Sequence, residues 1–301
     1  MRSNYIIQFT VILIVGLIFG FNSANAQGVI NWIKKAGGIN YDRGYGIAVD
    51  DGGNTYVTGY YSGTATFGQT TLTANGPGDS EVFIAKYNSN GDVLWAKKGG
   101  GTGVDIGSRI KVDNAGNCYV VGSFQGTATF GDTTLICAGY YDGLIIKYNT
   151  SGDFQWAASG GGTGDDHFGG LAISANGDCL ITGSFKGTAT FGNITLTSVG
   201  SYDEVLLKYN PNGLLQWAKR SEVGGAGIDL DQSGNIYISG YFNGNATFGT
   251  TTHSSSGGSD ICVLKYDPTG EPLWIVKGGG TGSDETRSIV LDSIGNCYVT
   301  G

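Results

Sequence analysis

The five tryptophans of this 301-residue chain, Trp32, Trp95, Trp156, Trp217 and Trp274, follow one another at intervals of 63, 61, 61 and 57. Other landmarks keep step with them. A Gly ends a Tyr-Val-Thr-Gly-like run at one fixed remove from four of the five, at Gly59, Gly122, Gly183 and Gly301. Only Gly240 lies closer to its tryptophan, by four positions. The Phe of an Ala-Thr-Phe-Gly segment follows eight positions later, at Phe67, Phe130, Phe191 and Phe248. One insertion of two before Lys86 and one deletion of four after Trp217 account for every irregularity. A unit of about 60 residues in short strands cannot bury a core alone and must stack on its neighbours, which confines the chain to repeat architectures.

Within a period the local signals are strands and turns. Ile47-Ala48-Val49 leads through the polar turn Asp50–Asn54 into Thr55–Tyr61, the pattern of a β-hairpin. A third extended stretch, Ala65-Thr66-Phe67 on to Leu72, leads to Glu81–Tyr87, and Asn88-Ser89-Asn90-Gly91 turns the chain into Val93–Ala96. Past Ala26, no window of a dozen positions shows apolar spacing at the helical period without Gly interrupting it, so the chain is all-β. The period suits a β-propeller better than a solenoid, whose coils are usually shorter, at roughly 20 to 30 residues.

The pattern Asp-x-x-Gly-Asn-x-Tyr-Val-Thr-Gly, then Gly-Thr-Ala-Thr-Phe-Gly, then Lys-Tyr-x-x-x-Gly-x-x-x-Trp-Ala resembles the seven-bladed β-propeller repeats (SBBP type) of bacterial and archaeal surface proteins. The resemblance covers residues 27–301 and is specific for fold rather than for an activity. Four complete periods begin near Gly44, Ser108, Gly169 and Gly225, and a fifth stops at Tyr298-Val299-Thr300-Gly301. Val29 to Lys35 has the look of a last strand with nothing before it. The resemblance implies a larger ring, with further blades after Gly301 and roughly 430 residues for seven repeats.

Residues 1–26 are expected to be a secretion signal. A positive start at Arg2 precedes the apolar run Val11–Phe21, and Ala24-Asn25-Ala26 offers a cleavage site before Gln27. The run is too short for a stable membrane anchor, and no second one follows, so the mature chain is expected to have no transmembrane helix. The net charge of −8 disfavours nucleic acid and anionic membranes as partners. Two His residues leave little material for zinc or His-based catalysis.

Acids recur at two places in the period. Asp42, Asp105, Asp166 and Asp284 lie five positions ahead of a unit's first-strand Ile or Leu. Asp142, Asp203 and Asp260, with Glu81 in the first unit, lie five before the Lys of Lys-Tyr. The first set are candidates for Ca²⁺ on oxygen ligands. Because no unit has the Asp-x-Asp-x-Asp of a dedicated calcium loop, turn capping is the preferred reading. Asp50, Asp113, Asp231 and Asp292, with Ser174 in the third unit, begin hairpin turns. Cys118, Cys179 and Cys297 share a position that elsewhere holds Thr55 or Ile236; with Cys137 and Cys262 they are expected to be mostly buried free thiols. Gly-Gly-Gly-Thr-Gly at 99–103, 160–164 and 278–282 lacks the Lys-Ser/Thr ending of a phosphate loop and is read as a flexible connection between blades. The Trp and Tyr series is read as core rather than as a sugar-stacking surface.

Together these features predict an exported surface module that binds a protein or glycan at its loop face and does no chemistry. Ligand contacts are placed where the repeat is irregular, at Pro77–Ser80 and Ser221–Gly225. The competing expectation is a polysaccharide hydrolase or lyase, for which Asp165 beside Asp166 and His167 is the only asymmetric cluster, or an enzyme domain beyond residue 301.

Overall fold

The computed structural model describes residues 32–301; the leader and the start of the Val29–Lys35 segment lie outside them. The first unit contains strands β1 (Asp42–Val49), β2 (Thr55–Ser62), β3 (Thr64–Phe67), β4 (Thr70–Thr73), β5 (Ser80–Tyr87) and β6 (Val93–Gly101). The second contains β7 (Ile106–Val112), β8 (Cys118–Phe124), β9 (Thr127–Phe130), β10 (Thr133–Ile136), β11 (Asp142–Tyr148) and β12 (Phe154–Gly162). The third runs through β13 (His167–Ile173), β14 (Cys179–Phe185), β15 (Thr188–Phe191), β16 (Ile194–Thr197), β17 (Asp203–Tyr209) and β18 (Leu215–Ser221). In the fourth, β19 (Gly224–Leu230) is followed by two long strands, β20 (Ile236–Phe248) and β21 (Thr251–Tyr266), and by β22 (Pro272–Gly278). The hairpin of β23 (Ser288–Leu291) and β24 (Cys297–Thr300) opens the fifth.

Each complete unit forms a four-stranded antiparallel sheet, β1-β2-β5-β6 and its equivalents. The first strands lie side by side from unit to unit, β1 against β7, β7 against β13, β13 against β19 and β19 against β23. They border a shared cavity of about 480 Å³ reached by Tyr45, Arg109, Ala226 and Arg287. Sheets set radially around their first strands are the blades of a β-propeller.

The core lies between the blades, and the strand period of two decides which neighbour each side chain meets. On β8, Val120 packs with Val82 and Ile84 of the first unit, whereas Val121 packs with Leu171, Ile181 and Val205 of the third. Farther on, Leu180 and Leu206 of the third blade join Ile228, Ile236 and Leu264 of the fourth. Apolar burial on both faces is what ties such blades together.

Two sequence expectations change here. In the second and third units the third extended stretch, Ala-Thr-Phe, is not part of the four-stranded blade but half of a small hairpin that reaches back to the preceding unit, whereas in the fourth it is the end of β20. Strand β9 pairs with the end of β6, and β15 with the end of β12. The glycines at 99–101 and 160–162 are therefore strand ends and not flexible connections, whereas in the run at 278–282 the strand β22 stops at Gly278. A Cβ on Gly101 would stand 1.7 Å from the Thr127 carbonyl oxygen, and one on Gly99 2.1 Å from the Phe130 ring. Only glycine lets the hairpin and its Phe lie this close. Ahead of the first unit, residues 32–36 form no strand, although Gly37 bridges Thr66 as Gly100 bridges Thr129.

Candidate ligand-binding cleft

The recurrent polar residues form networks that serve the blades. Asp50 Oδ1 accepts the Asn54 amide at 2.9 Å, and its other oxygen takes Asn54 Nδ2 at 2.9 Å and the Tyr56 hydroxyl at 3.2 Å. Lys86 of the Lys-Tyr pair sits 4.8 Å above the Tyr56 ring and 3.8 Å from Asp50. Asp113 and Asp231 repeat the arrangement, and Asp292 bonds Asn296 and Tyr298 in the same way. The third unit changes it as a set: Ser174 and Asp178 replace the Asp and Asn, Leu180 replaces the Tyr, and Lys208 pairs with Asp178 at 3.0 Å. The tryptophans tie neighbours together, Trp95 Nε1 donating to the Thr150 carbonyl at 3.2 Å and Trp156 Nε1 to that of Pro211 at 3.0 Å. Cys118, Cys179 and Cys262 are buried free thiols; Cys137 and Cys297 are free and half-buried.

The four calcium candidates each hold the glycine turn before them. Asp42, Asp105, Asp166 and Asp284 accept the amides of Gly38, Gly101, Gly162 and Gly280 at 2.6–2.9 Å. Asp105 and Asp166 take a second amide, from Gln125 and Lys186. The second set of acids comes beside them across the joint between blades. A Cβ on Gly100 would meet Asp105 Oδ2 at 2.4 Å and Glu81 Oε2 at 2.6 Å, and Gly161 stands likewise between Asp142 and Asp166. Each pair offers two carboxylates, and among the described residues no group of three His, Cys, Asp or Glu is placed to hold a metal. Burial pushes the Asp105 carboxyl up to about 7 with Glu81 adding to the rise, and burial raises Glu81, Asp142 and Asp166 as well.

The joint between the third and fourth blades departs from this plan. The four-residue deletion shortens β18, no glycine tail remains for the fourth unit's hairpin to pair with, and the carboxylate partner of Asp203 is gone. Arg220 takes its place, donating to Asp203 Oδ2 at 2.5 Å and to Glu222 Oε1 at 3.2 Å. Glu222 Oε2 accepts the Thr247 amide of the hairpin at 2.9 Å, one hydrogen bond where a strand pairing stands elsewhere. A second exchange accompanies the first. In the preceding joint the Phe168 ring lies over Gly143; here Gly225 stands in the place of Phe168, and Glu204 in that of Gly143. Burial pushes the Glu204 carboxyl up to about 8 against the opposing pull of the Gly225 and Gly183 amides.

The outcome is a cleft of about 580 Å³ between the two blades. Asp165, His167, Asp203 and Glu204 line it together with Glu222. His167 Nε2 lies 3.0 Å from Asp165 Oδ1, and the Tyr202 hydroxyl reaches Asp165 Oδ2 at 3.5 Å. Tyr241 and Asn243 complete the rim with exposed side chains. Two features singled out in the sequence thus meet here, the irregular segment Ser221–Gly225 and the Asp165–His167 pair. Pro77–Ser80 does not take part: Asp79 and Ser80 bond Gly103 and Asp105 in the first joint. Sequence reasoning misses Glu204 and Tyr241; Glu204 carries a signal, since its repeat position holds Val82, Gly143 and Ile261 in the other units, whereas Tyr241 has its counterpart in Tyr60.

A family model described as a β-propeller repeat (SBBP) matches residues 31–60. The chain is 26% identical to an uncharacterized WD repeat-containing protein of Acanthamoeba polyphaga mimivirus, over 85% of this chain and 24% of that protein. It is 24% identical to the regulatory protein FlaEY of Caulobacter vibrioides, over 92% of this chain and 32% of that protein. The chain thus spans about a quarter to a third of the length of these curated relatives. A crystal structure of a protein of unknown function from Bacteroides caccae covers 78% of this chain and 82% of its own, at 14% identity and a TM-score of 0.35, too low to bear on the fold. Among the described residues no helix is long and apolar enough to cross a membrane. Residues 31–60 thus match the SBBP-type β-propeller repeat, and a four-stranded sheet recurs in each complete unit of the chain.

Proposed function

We propose that the chain is the repeat portion of an exported, non-catalytic binding and scaffold protein whose ligand contacts concentrate in the cleft between its third and fourth blades. The observation that carries this reading is the break in symmetry. Elsewhere the recurrent carboxylates, tyrosines and tryptophans are committed to turns and to neighbouring blades. At the deletion an open space with exposed polar and aromatic side chains replaces the stapled joint. Concave sites of several hundred Å³ with a few convergent polar groups are where ligands usually seat. The WD-repeat relative supports a scaffold role, and the leader supports export.

The full chain, screened by surface plasmon resonance against extracellular glycans and peptides, is expected to retain a ligand, and Asn243→Ala to weaken it. Retention untouched by substitutions in the cleft would move the site elsewhere. Release of reducing ends from any polysaccharide would overturn the non-catalytic reading. Amino-terminal sequencing of the secreted protein should begin at Gln27, and a retained leader would remove export from the proposal.

A further inference from the structure

The charge around the cleft narrows its ligand, resting on the reading that the cleft is the binding site. Four carboxylates line it, those of Asp165, Asp203, Glu204 and Glu222, and among the described residues no Lys or Arg does. The cations beside it do not balance them. Arg220 is shared by Asp203 and Glu222, Lys186 stands 5.6 Å over the Tyr202 ring, and His167 offsets Asp165 only when protonated. Among the described residues no salt bridge reaches Glu204, which is 6% exposed and whose Oε1 is buried without a hydrogen-bond partner. A buried carboxylate oxygen at the wall of a cleft is completed best by a donor that also carries positive charge. Burial raises the Glu204 carboxyl, and a cation beside it restores the charged form.

The shape separates the classes of cation. Among the described residues no three His, Cys, Asp or Glu converge as metal ligands, so the acids are spread along the walls and not gathered on one point. The space of about 580 Å³ exceeds what one ion needs and holds a side chain with its backbone. The rings of Tyr202 and Tyr241 are 48% and 38% exposed and both border it. Such rings take the alkyl stem or planar head of a basic side chain and leave its charge to the carboxylates. The Ser184 hydroxyl and the Asn243 amide add neutral donors and acceptors for the peptide units on either side. The joint itself holds a precedent, since Arg220 already spans two of these acids with its guanidinium. From the excess of carboxylates and the open Glu204 oxygen we infer that the cleft binds a basic peptide segment of a partner protein, seating a lysine or arginine side chain against Glu204.

The test is isothermal titration of the full chain with a series of end-capped peptides carrying Arg or Lys, alongside their Gln and Glu counterparts, spermine, calcium chloride and neutral oligosaccharides. The expected result is binding of the basic peptides alone, weakened about tenfold or more between about 0.05 and 0.5 M salt. Glu204→Gln keeps the shape of the side chain, removes its charge and should weaken binding about tenfold or more. Asp165→Asn, at a partly exposed wall of the cleft, should weaken it as well and keeps the test open if Glu204→Gln does not fold. Asp132→Asn, the same loss of charge at an exposed residue between β9 and β10, should leave binding unchanged. Circular dichroism melts identify the variants that fold. Binding of spermine, calcium, an acidic peptide or an oligosaccharide in place of the basic peptides, lost with Asn243→Ala, would overturn the ligand class and leave the cleft as the binding site. Binding indifferent to Glu204→Gln, Asp165→Asn and Asn243→Ala, or none from any probe, would overturn both.

Discussion

Replacing Asp105 by Asn gives a stability change whose sign should depend on pH. The Asp105 side chain is wholly buried, its carboxyl faces that of Glu81 across Gly100, and its pKa rises from 3.8 to about 7. An acid whose folded pKa lies above its unfolded value binds more protons in the native state. Stability therefore falls as pH climbs from about 4 to about 7 and levels off above. At 1.36 kcal/mol per unit, the fall from this one group is on the order of 4 kcal/mol. Asn cannot ionise, and its amide can donate toward Glu81 Oε2, a buried oxygen with no hydrogen-bond partner. It has one carbonyl oxygen, however, where Asp105 accepts the amides of Gly101 and Gln125 with two. The lost bond should cost about 1–2 kcal/mol at pH 5, where the native Asp is neutral. At pH 8 the removed charge should outweigh that loss and make Asp105→Asn the more stable protein. Urea unfolding of both proteins at pH 5, 6.5 and 8, followed by tryptophan fluorescence, reads the difference directly. A shift of the same sign and size at pH 5 and pH 8 would refute the reasoning, because it would mean that Asp105 is ionised throughout.

Further substitutions probe the joints and the turn networks. Gly101→Ala should cost about 3 kcal/mol or more by forcing the second unit's hairpin off β6. Gly280→Ala, where a Cβ would meet nothing within 4 Å, should shift the thermal midpoint little, and equal losses for the two would discredit the pairing as the cause. Asp178→Asn should destabilise by about 1–3 kcal/mol by taking the carboxylate from Lys208. Adding Ser174→Asp and Leu180→Tyr rebuilds the network of the other units and should recover most of that loss, so additive destabilisation in urea would count against the network. Trp156→Phe removes the bond to the Pro211 carbonyl and should cost about 1 kcal/mol or more in the same assay, and no change would deny that bond a part in coupling the blades.

Much of this architecture is legible in the chain itself. The tryptophan spacing defines the unit, and Asp50 with Gly53 and Asn54 marks a hairpin turn by local chemistry alone. The shortened interval from Trp217 to Gly240 locates the cleft. What stays hidden depends on contacts between units. The run Gly99–Gly101 has the composition of a loop, and only the hairpin of the following unit makes it a strand. Glu81 and Asp105 look like two unrelated turn caps because nothing local shows that they share a joint. Glu204 and Gly225 look like ordinary substitutions singly. Their meaning lies in the exchange with Gly143 and Phe168, which moves the bulky group from one blade to the other and puts a carboxyl where a ring had been.

The shortened β18 also gives the molecule a crease. Where hairpins are laid on the preceding blade, neighbouring sheets open and close as one body. Between the third and fourth blades the hairpin keeps a single Glu222–Thr247 bond above the shared core. Among the joints between complete blades, local opening should be easiest along this line, with the fastest hydrogen exchange. A ligand seated in the cleft touches both banks of the crease and is thereby linked to its closure. At about a hundred times its dissociation constant, mass action alone would add about 2.7 kcal/mol to the closed form. Occupancy would then be read out as stiffness, in a structure whose other seams have nothing to report.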